Sequence, residues 1–460
     1  MFYFREDEIE AVTRFSASKT AHAMAVYGRR RAGKTQLITH CKYTFLEHEM
    51  VYFQVSSGDY IECLKDFTST VQTETGEDTI LSNISSFKDV FVYLEKVMDT
   101  GHIFVIDEFP VFAKRNSNVA LEFQWIIDHS LKKHKLILMG SQLSFMKKQI
   151  YSDAEPLYGR FHEVLHLLPF TFEEVNTLFP DFHDAMKVYA TTGGVAQYVA
   201  FCLDYPSVDE ALSHLFFNKD GRLFSEADNL LMMELRDLTS YKKILRAIGY
   251  TGKTLAQIAS KCGVDQRAVL PYIERLIELD IVNESNIVLS QKRQVKRYRI
   301  TDLLFRFTNS FIEENKSFIN IVGKDSMEHI LDNQFNEFLG VAYEEIIRVS
   351  LMKAGIRKEI PFVAKHIGEW FGNVSENDTW HETQVDVIAY DDKNLIIGEC
   401  KYTNKAIGMN ILDKLKLKGQ FISSGDRKKY YALASSSGFT DEVINAKGKD
   451  VILIHGTTIL

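Results

Sequence analysis

The hydrophobic positions of the first 165 residues come in short runs separated by longer amphipathic stretches. Four runs, AMAVYG, MVYFQVS, HIFVIDE and KLILMGS, have the length of buried strands, and the stretches between them repeat apolar residues at helical spacing. Strand-like runs that alternate with helices are typical of a parallel sheet with helices on its faces. From about residue 165 to 235 strand-like runs are few, so we expect helices there.

Residues 241–300 change character. The segments YKKILRAIG, TLAQIASKCGV and DQRAVLPYIERLIELDIV predict three helices, with a turn at Gly263 between the last two. This order resembles a winged helix-turn-helix, whose wing would be the hairpin after the third helix. Five bases crowd that hairpin and are candidates for phosphate contacts: Lys292, Arg293, Lys296, Arg297 and Arg299. The alternative is a winged helix used for domain packing or oligomer contacts, because the third helix carries Glu274 and Glu278 among few bases.

A new alternation begins after about residue 320. The segment FNEFLGVAYEEIIRVSL predicts a helix, and HETQVDVIAY and LIIGECKY predict two strands joined by the polar turn DDKN. We therefore expect four domains. Their predicted boundaries are residues 1–165 for the sheet domain, 166–238 for a helical lid, 239–310 for the winged helix and 311–460 for the last domain.

The composition is typical of a soluble globular protein. Of 460 residues, 45% are hydrophobic and 25% are charged, and no stretch approaches the ~18 uninterrupted apolar residues of a membrane helix. The start, MFYFREDEIE, has acids where a signal peptide has basic and apolar regions, so we expect a cytoplasmic protein. Five scattered cysteines predict reduced thiols, and the net charge of −8 limits any nucleic-acid contact to a local patch.

A phosphate-binding loop is the strongest motif in the chain. Gly28, Gly33, Lys34 and Thr35 have the spacing G-x-x-x-x-G-K-T, directly after an apolar run and directly before a helical one. The glycines let backbone N–H groups surround phosphates, the lysine reaches the β- and γ-phosphates, and the threonine hydroxyl can bind Mg²⁺. The motif therefore predicts nucleotide binding with Mg²⁺.

Polar residues end two further strand-like runs. Asp107, at the end of HIFVID, would hold the water shell of the Mg²⁺ ion, and Glu108 beside it would orient or deprotonate the attacking water. Ser141 and Gln142 end the run LILMGSQ, where a polar group can sense the γ-phosphate. For these last two residues a plain strand-end turn is the alternative.

Several segments together resemble one known family. GRRRAGKTQLI, VIDEFPVF, LILMGS, PLYGR and TGGVAQYV occur in the order found in archaeal and bacterial ATPases of the AAA/STAND class, and the opening FREDEIEAV resembles that family's box before the first strand. The resemblance implies an ATPase followed by a domain of unknown function that ends in a restriction-endonuclease-like segment. It also implies that Arg160 of PLYGR contacts the γ-phosphate, the alternative being a surface arginine paired with a carboxylate. Ala196 stands where the family usually has proline.

The segment HEVLH, from His162 to His166, matches the zinc-protease pattern His-Glu-x-x-His. That pattern binds zinc on a helix, where residues four apart share a face. Here it follows a glycine-arginine turn and continues into VLHLLPF, which predicts a short strand. On a strand the two histidines would stand roughly 13 Å apart, so we do not expect a shared metal.

The run LIIGECKY ends in charges that a buried strand has to accommodate. Glu399 and Lys401 lie two residues apart and therefore share one face of the strand. If the hairpin closes symmetrically around DDKN, Tyr390 pairs with Leu395 and Asp386 falls opposite Glu399, where like charges repel. A divalent cation would turn that repulsion into coordination, and the nearby ammonium would stabilise the attacking water or the phosphate charge.

Asp386, Glu399 and Lys401 resemble the core motif of PD-(D/E)xK nucleases. That resemblance implies a fourth residue on the preceding helix, Glu344, which with the other two acids would hold the metal; Glu345 is the alternative if the register shifts. A nuclease fold that has lost activity, and that only binds DNA or stabilises the chain, is the competing interpretation. The presence of all four residues favours retained catalysis.

These observations define the expected fold and function. The fold class is α/β, with a P-loop NTPase parallel sheet and a helical lid, then a winged helix, then a C-terminal α/β restriction-endonuclease-like domain. We expect ATP binding and hydrolysis coupled to a metal-dependent nuclease, with ATP and Mg²⁺ as cofactors and Mn²⁺ as an alternative at the nuclease-like site. The expected partners are nucleic acid, with DNA favoured, and further copies of the chain, but no membrane. A nucleotide-switched DNA-binding regulator and an ATP-dependent assembly scaffold are the alternatives.

Overall fold

The structure is a computed structural model and describes residues 3–46, 49–76, 84–289, 296–332, 334–376 and 379–460. The chain forms two compact units. The first runs up to Phe170 and includes residues 195–197, and the second consists of residues 171–194 and 198–460. The predicted domain boundaries at residues 165, 238 and 310 stay predictions.

The first unit is a parallel sheet with helices. Within its described residues the helices are α1 (Glu6–Ala17), α2 (Lys34–Phe45), α3 (Tyr60–Thr75), α4 (Phe87–Val97), α5 (Phe109–Ala113), α6 (Val119–His129) and α7 (Leu143–Tyr151), and the strands are β1 (Ala23–Tyr27), β2 (Met50–Gln54), β3 (Ile103–Asp107), β4 (Lys135–Gly140) and β5 (Glu163–His166). The strands lie in the order β2-β3-β4-β1-β5, and each neighbouring pair is parallel. The four apolar runs are β1 to β4, which confirms the predicted parallel sheet.

The strand order determines which loops meet at one edge of this sheet. β4 lies between β1 and β3 and is parallel to both. The carboxyl ends of parallel strands share an edge, so the loops that follow β1, β3 and β4 emerge together. These loops carry the phosphate loop (residues 28–35), Asp107 with Glu108, and Ser141.

Phenylalanine rings fill the core of the first unit between the sheet and helices α3, α4 and α6. Phe67, Phe87, Phe91 and Phe104 are fully buried, and their ring centroids lie 5.3–6.2 Å apart. Aromatic pairs at such distances contribute about 0.5–1.5 kcal/mol each beyond the area they bury. All five positions of β3 are buried as well, so the strand that ends at Asp107 is held on both faces.

The second unit begins with helices and ends with a mixed sheet. Within its described residues the helices are α8 (Phe172–Leu178), α9 (Phe182–Thr192), α10 (Ala196–Leu203), α11 (Val208–Phe216), α12 (Glu226–Glu234), α13 (Leu238–Ile248), α14 (Leu255–Cys262), α15 (Gln266–Glu278), α16 (Leu303–Phe307), α17 (Lys316–Val322), α18 (Ser326–Leu331), α19 (Gln334–Ile356), α20 (Met409–Gln420) and α21 (Asp441–Asn445). A π-helical turn spans Thr308–Ile312 and a 3₁₀ turn spans Gly323–Asp325. The strands are β6 (Lys253–Thr254), β7 (Val282–Glu284), β8 (Arg297–Ile300), β9 (His366–Glu376), β10 (Thr379–Tyr390), β11 (Asn394–Lys401), β12 (Lys428–Ser435), β13 (Val451–His455) and β14 (Thr458–Ile459).

Helices α13 to α15 and the small sheet β6-β8-β7 follow one another as the sequence predicts. Thr254 and Gln257 form a capping box at the start of α14, and Gly263 ends that helix with φ of 66°. Glycine adopts this left-handed conformation without strain, which explains the turn at this position. α15 buries Val269 and Leu276 on its inner face, as its apolar spacing predicts.

The C-terminal sheet has six strands in the order β14-β13-β12-β11-β10-β9. The pairs β9–β10 and β10–β11 are antiparallel, whereas β11–β12 and β12–β13 are parallel. Leu412 and Leu415 of α20 pack with Leu395 and Ile397 of β11 in one buried cluster. This cluster fixes α20 against the strand that carries Glu399 and Lys401.

A network of ion pairs is buried in the second unit. Arg306 on α16 has no exposed surface, and its guanidinium donates to the Ile300 carbonyl oxygen at 2.6 Å and to the Glu345 carboxylate at 2.8 Å. Arg299 on β8 donates to Glu345 at 3.3 Å and to Glu369 on β9 at 2.9 Å. Burial raises the pKa of Glu345, but the arginines lower it by more, so the net shift is downward. A buried charge without its partner is costly, so the network restricts how these elements pack.

The cysteine thiols lie inside the fold. All five cysteines fall in the described ranges, and each is buried as a free thiol. Burial raises the pKa of Cys41 to about 11, so its thiol stays protonated and is a poor nucleophile at neutral pH. In the part of the chain that the structure describes, no helix combines the length and the hydropathy needed to cross a membrane.

The buried network generates a prediction about stability. Arg306→Met should lower the free energy of unfolding by about 1.5–3 kcal/mol, because it removes a buried cation that donates to the partly exposed Glu345 carboxylate. Urea unfolding of the full chain measures the loss. The double variant Arg306→Met with Glu345→Gln also removes the remaining negative charge and should recover part of the stability. Equal stability of the wild type and the single variant would contradict this account.

Candidate functional site

The phosphate loop connects β1 to α2. Gly33 precedes α2 with φ of 100°, a conformation that favours glycine. A side-chain carbon at Gly28 would lie 2.3 Å from the Leu167 carbonyl oxygen, so a larger residue does not fit there. Lys34 is buried and donates to the carbonyl oxygens of Gly28 and Arg29 at 2.9 and 3.0 Å. Burial lowers the pKa of Lys34 to about 8.

The Asp107 carboxylate receives hydrogen bonds from three sides. The Thr35 hydroxyl, on the first turn of α2, donates to Oδ2 at 2.7 Å, and the Tyr52 hydroxyl on β2 donates to the same oxygen at 2.6 Å. The Glu108 backbone N–H donates to Oδ1 at 2.8 Å. The structure thus brings Thr35 and Asp107 together and adds Tyr52, which no motif in the sequence marks. Burial and the Asp107 charge raise the pKa of Tyr52, so its hydroxyl remains a donor.

Glu108 lies beside Ser141. Its φ of 57° is in the left-handed region. A residue other than glycine adopts this conformation only at a cost in free energy. The Ser141 hydroxyl at the end of β4 lies 2.7 and 2.8 Å from the two Glu108 carboxylate oxygens. The sequence predicts Ser141 as a sensor of the γ-phosphate, and the structure shows it in contact with the residue predicted to activate water. The side-chain oxygen of the neighbouring Gln142 is buried without a hydrogen-bond partner among the described residues.

Arg5 ties the phosphate loop to the segment after β5. Its guanidinium is buried and donates to the carbonyl oxygens of Ala32 and Leu168 at 3.1 and 2.9 Å. It also pairs with Glu8 at 2.9 Å and lies 4.9 Å from the centroid of the Phe170 ring. The segment FREDEIEAV, which contains Arg5, resembles the segment that the ATPase family has before the first strand. The sequence alone does not show that Arg5 contacts the phosphate loop.

Arg160 and the two histidines of HEVLH contact other parts of the first unit. Arg160 donates through Nε to both carboxylate oxygens of Asp128 at 3.1 and 3.0 Å, which is the pairing named as the alternative to a phosphate contact. A role for Arg160 at the γ-phosphate stays a prediction. The predicted strand is confirmed, because Glu163–His166 is β5, and the His166 ring stacks on Tyr27 at 4.4 Å.

The β10–β11 hairpin carries the second candidate site. Tyr390 pairs with Leu395, as predicted, and the register continues toward Asp386 and Glu399. Burial, and after it the charge of Glu399, raise the pKa of Asp386 to about 6. Asp386 Oδ2 also accepts the Cys400 backbone N–H at 2.9 Å.

A bulge in β10 positions Asp386. The pairing of β10 with β9 shifts between Val385 and Ile388, and both of these residues belong to the buried cluster under α20. Bulges redirect side chains and are frequent beside active sites. The sequence predicts the hairpin turn but contains no feature that marks this bulge.

Two lysines hold the Glu399 carboxylate. Lys401 donates to Oε1 at 2.8 Å, and Lys418 on α20 donates to Oε2 at 3.0 Å and to the Gln384 carbonyl oxygen at 3.0 Å. Burial raises the pKa of Glu399, but the two ammonium groups lower it by more, which keeps the carboxylate ionised. Lys401 is in the predicted motif. Lys418 was missed, because its contact depends on the packing of a helix that no motif identifies.

The helix acid beside this site is Glu344. Burial and the neighbouring Asp386 raise the pKa of Glu344 to about 8. Arg348, one turn further along α19, lies 3.9 Å from the Glu344 carboxylate and donates to the Asp386 carbonyl oxygen at 2.6 Å. Glu345, the alternative residue, instead accepts hydrogen bonds from Arg306.

The oxygen atoms at both sites suit a hard divalent cation. Thr35 and Asp107 offer a hydroxyl and a carboxylate whose oxygens lie 2.7 Å apart, and Asp386 and Glu399 offer two neighbouring carboxylates. Among the described residues no three His, Cys, Asp or Glu side chains are arranged as a formed metal site. A cation at the second site would compete with Lys401 and Lys418 for the Glu399 carboxylate. The hydroxyl and carboxylate oxygens at both sites fit Mg²⁺ or Mn²⁺.

The bases of the predicted wing lie only partly in the described residues. Each of the three that are described has a partner in the protein: Lys296 with Glu284 at 2.7 Å, Arg297 over the Phe371 ring at 4.7 Å, and Arg299 with Glu369 at 2.9 Å. Lys292 and Arg293 fall outside the described residues. Phosphate contacts by these bases stay a prediction.

The parallel sheet and the phosphate loop define the first unit as that of a P-loop ATPase. The solved structure of the Walker-type ATPase PABY2304 of Pyrococcus abyssi matches 67% of this chain and 96% of its own, with a TM-score of 0.50 at 18% identity. The ORC2 protein of Aeropyrum pernix matches 69% of this chain and 95% of its own, with a TM-score of 0.42 at 15% identity. At 18% identity, the similarity to PABY2304 concerns the fold alone.

The sequence comparisons identify the family. Residues 2–201 match the family described as an ATPase domain predominantly from Archaea, and residues 309–412 match archaeal and bacterial proteins of unknown function. The uncharacterized protein MJECL04 of Methanocaldococcus jannaschii is 31% identical over 451 residues, which cover 94% of this chain and 95% of that protein. The chain belongs to this family of archaeal ATPases and is an ATPase. The predicted resemblance to archaeal ATPases that carry a following domain of unknown function is thereby confirmed, whereas the resemblance to a nuclease stays a prediction.

The contacts of Asp107 generate a prediction for Tyr52. Tyr52→Phe removes a hydroxyl that donates to Asp107, and hydrogen bonds to charged groups contribute about 1.5–3 kcal/mol. We expect the Mg²⁺ concentration for half-maximal ATP hydrolysis to rise several-fold, and the Mg²⁺-dependent gain in nucleotide affinity to shrink. Titration of a fluorescent ADP analogue with and without Mg²⁺ measures the second effect without turnover.

Tyr60→Phe is the matched control for this variant. The Tyr60 hydroxyl also donates to a carboxylate, that of Glu122 at 2.8 Å. A Mg²⁺ dependence that shifts equally in both variants, or in neither, would contradict a specific role of Tyr52 at Asp107.

Proposed function

We propose that this ATPase drives a metal-dependent phosphodiesterase that acts on nucleic acid and has its active site in the second unit. The observation that supports the proposal best is the arrangement around Glu399. Asp386 lies beside it, and the ammonium groups of Lys401 and Lys418 donate to it at 2.8 and 3.0 Å. Neighbouring carboxylates bind a cation, and ammonium groups bind a phosphate, so the arrangement suits a phosphodiester substrate.

The proposed ATP site uses Lys34, Thr35, Asp107, Glu108 and Ser141. Lys34 exchanges the loop carbonyl oxygens for the β- and γ-phosphate oxygens. Thr35 and Asp107 would hold Mg²⁺, which supplies positive charge at the phosphates. Glu108 orients the attacking water or takes its proton. Ser141 holds the Glu108 carboxylate, so that rotation of the Ser141 hydroxyl releases it toward the water.

On the phosphodiesterase side, Asp386, Glu399 and Glu344 would hold the divalent cation, which supplies Lewis acidity toward the phosphate. A water oxygen bonds to phosphorus and loses a proton to solvent, the bond from phosphorus to the leaving sugar oxygen breaks, and that oxygen takes up a proton from solvent. Lys401 stabilises the attacking water or the charge on the phosphate oxygens. Lys418 positions Glu399 through its second carboxylate oxygen.

The two activities are joined through the chain. α10 begins with residues of the first unit and continues in the second. Its first turn contacts the phosphate loop: the Gln197 backbone N–H donates to the Arg31 carbonyl oxygen at 3.3 Å, and Ala196 lies 3.9 Å from where a side chain at Gly33 would be. We expect ATP turnover to move this turn and thereby to control the phosphodiesterase.

The regulator alternative has less support from the structure. The exposed face of α15 carries Glu274 and Glu278, and Arg275 on the same helix pairs with Glu278 at 2.6 Å. Arg299, counted among the wing bases, is buried against Glu369. We therefore propose that nucleic acid, with DNA favoured, binds at the phosphodiesterase site. We propose that the winged helix contributes to the packing of the domain.

Cleavage by the full chain tests the proposal. With Mn²⁺ or Mg²⁺ and ATP, labelled DNA or RNA should be cleaved, and Asp386→Ala and Glu399→Ala should each reduce the rate by at least about a hundredfold, because each removes a metal-binding carboxylate. Chelation of the metal should abolish cleavage.

Asp392→Ala is the matched control, since this aspartate lies in the turn of the same hairpin and pairs with Lys365 at the surface. Its cleavage rate should equal that of the wild type. No cleavage of any strand by a protein that still hydrolyses ATP would overturn the phosphodiesterase proposal. Cleavage that persists in the Asp386 and Glu399 variants would instead refute the assigned site.

A further prediction concerns Lys418. Lys418→Met should lower the cleavage rate and raise the metal concentration needed for half-maximal cleavage, because Glu399 loses the contact that positions it. Lys418→Arg should restore part of both, because it keeps the positive charge. Lys449→Met, at an exposed lysine outside α20 in the same unit, is the control. If the Lys449 and Lys418 variants behaved alike, Lys418 would have no specific role.

A further inference from the structure

Trp380 is exposed to an unusual degree for its residue type. About 65% of its surface is accessible, whereas Trp370 on the neighbouring strand is fully buried. The first four residues of β10 are exposed, so this end of the β9–β10 hairpin extends beyond the core. Large aromatic side chains at the surface often mark binding sites.

A second aromatic ring holds the Trp380 side chain. The centroid of the Phe421 ring lies 5.7 Å from that of Trp380, and the two planes meet at 77°. Phe421 itself packs against the buried cluster under α20. The indole is therefore supported along one side, and most of its surface remains available to a partner.

This aromatic pair lies close to the candidate phosphodiesterase site. Phe421 directly follows α20 and comes three residues after Lys418, which donates to Glu399. Residues three apart are neighbours on a helix surface, so the pair lies about one helical turn from the lysine that touches the site.

The charges of α20 favour an anionic partner. The helix carries Lys414, Lys416 and Lys418 but only one acid, Asp413. Lys414 is exposed and lies one turn before Lys418, on the same side of the helix. Aromatic rings next to lysines are the combination on which single-stranded nucleic acids stack their bases and place their phosphates.

We propose that Trp380, supported by Phe421, stacks an unpaired nucleobase of the nucleic acid whose phosphates lie along α20. This inference rests on the proposed phosphodiesterase function and defines its substrate class: a single-stranded segment, or an end that has lost its base pairing. A base in an intact duplex is covered by its neighbours and cannot stack on the indole. Single strands should therefore bind more tightly than blunt duplexes.

Binding of the full chain to labelled strands in the presence of a chelator tests the inference without cleavage. The probes are an oligothymidine, a strand of the same length without bases, and a blunt duplex. Trp380→Ala should weaken oligothymidine binding about tenfold, as loss of one base-stacking contact does. Binding of the strand without bases should not change, because it offers only phosphates.

Two control variants accompany Trp380→Ala. Trp380→Phe keeps an aromatic ring and should retain most of the affinity for oligothymidine. Ile444→Ala removes another exposed apolar side chain of the second unit and should have no effect. Circular dichroism spectra and thermal unfolding that match the wild type show that all three variants are folded.

The outcomes separate the inference from the function on which it rests. Equal oligothymidine affinity of the wild type and Trp380→Ala overturns the inference, whatever the cleavage assay shows. Trp380-dependent binding without cleavage supports the stacking site but refutes the phosphodiesterase. If Trp380→Ala changes self-association of the chain, measured by light scattering, but not strand binding, the surface binds protein and the inference is overturned.

Discussion

The repulsion between two neighbouring carboxylates is the constraint on which the second unit depends. The register set by Tyr390 and Leu395 runs to Val387 and Gly398, so Asp386 and Glu399 are the next residues on the two strands. Their charges are tolerable only with cations nearby, and Lys418 supplies one from a different element. The proposed site for a metal and a phosphate would use these same acids and lysines.

The first unit likewise surrounds a buried carboxylate, that of Asp107, with hydrogen-bond donors. Asp107 ends a strand that is buried along its length, and its charge is balanced by hydroxyl groups of Thr35 and Tyr52 and by a backbone N–H. Lys34 is buried, and its hydrogen-bond acceptors among the described residues are two loop carbonyl oxygens, so phosphates would offer it better partners. Both sites are therefore arranged around charge that a bound phosphate and metal would neutralise.

The sequence predicts what depends on residues near each other in the chain. The phosphate loop, the strands of the parallel sheet and the pairing of Tyr390 with Leu395 all follow from local spacing. Lys418 and Tyr52 were missed, because their contacts join segments that are distant in the chain and carry no motif. The sequence also predicts Arg299 as a phosphate-binding base of the wing, because its buried partner Glu369 on β9 lies 70 residues further along the chain. Sequence patterns indicate charges, but only packing shows which of them are buried together.

The most direct test of the central claim is whether ATP hydrolysis controls phosphodiester cleavage. The measurement is the cleavage rate of a labelled single strand with Mn²⁺, with and without ATP, for the wild type and for Lys34→Ala. The account predicts that ATP changes the rate in the wild type and has no effect in the variant, because the proposed role of Lys34 is to bind the nucleotide phosphates. Cleavage at one rate in both proteins, regardless of ATP, would contradict the coupling of the two units.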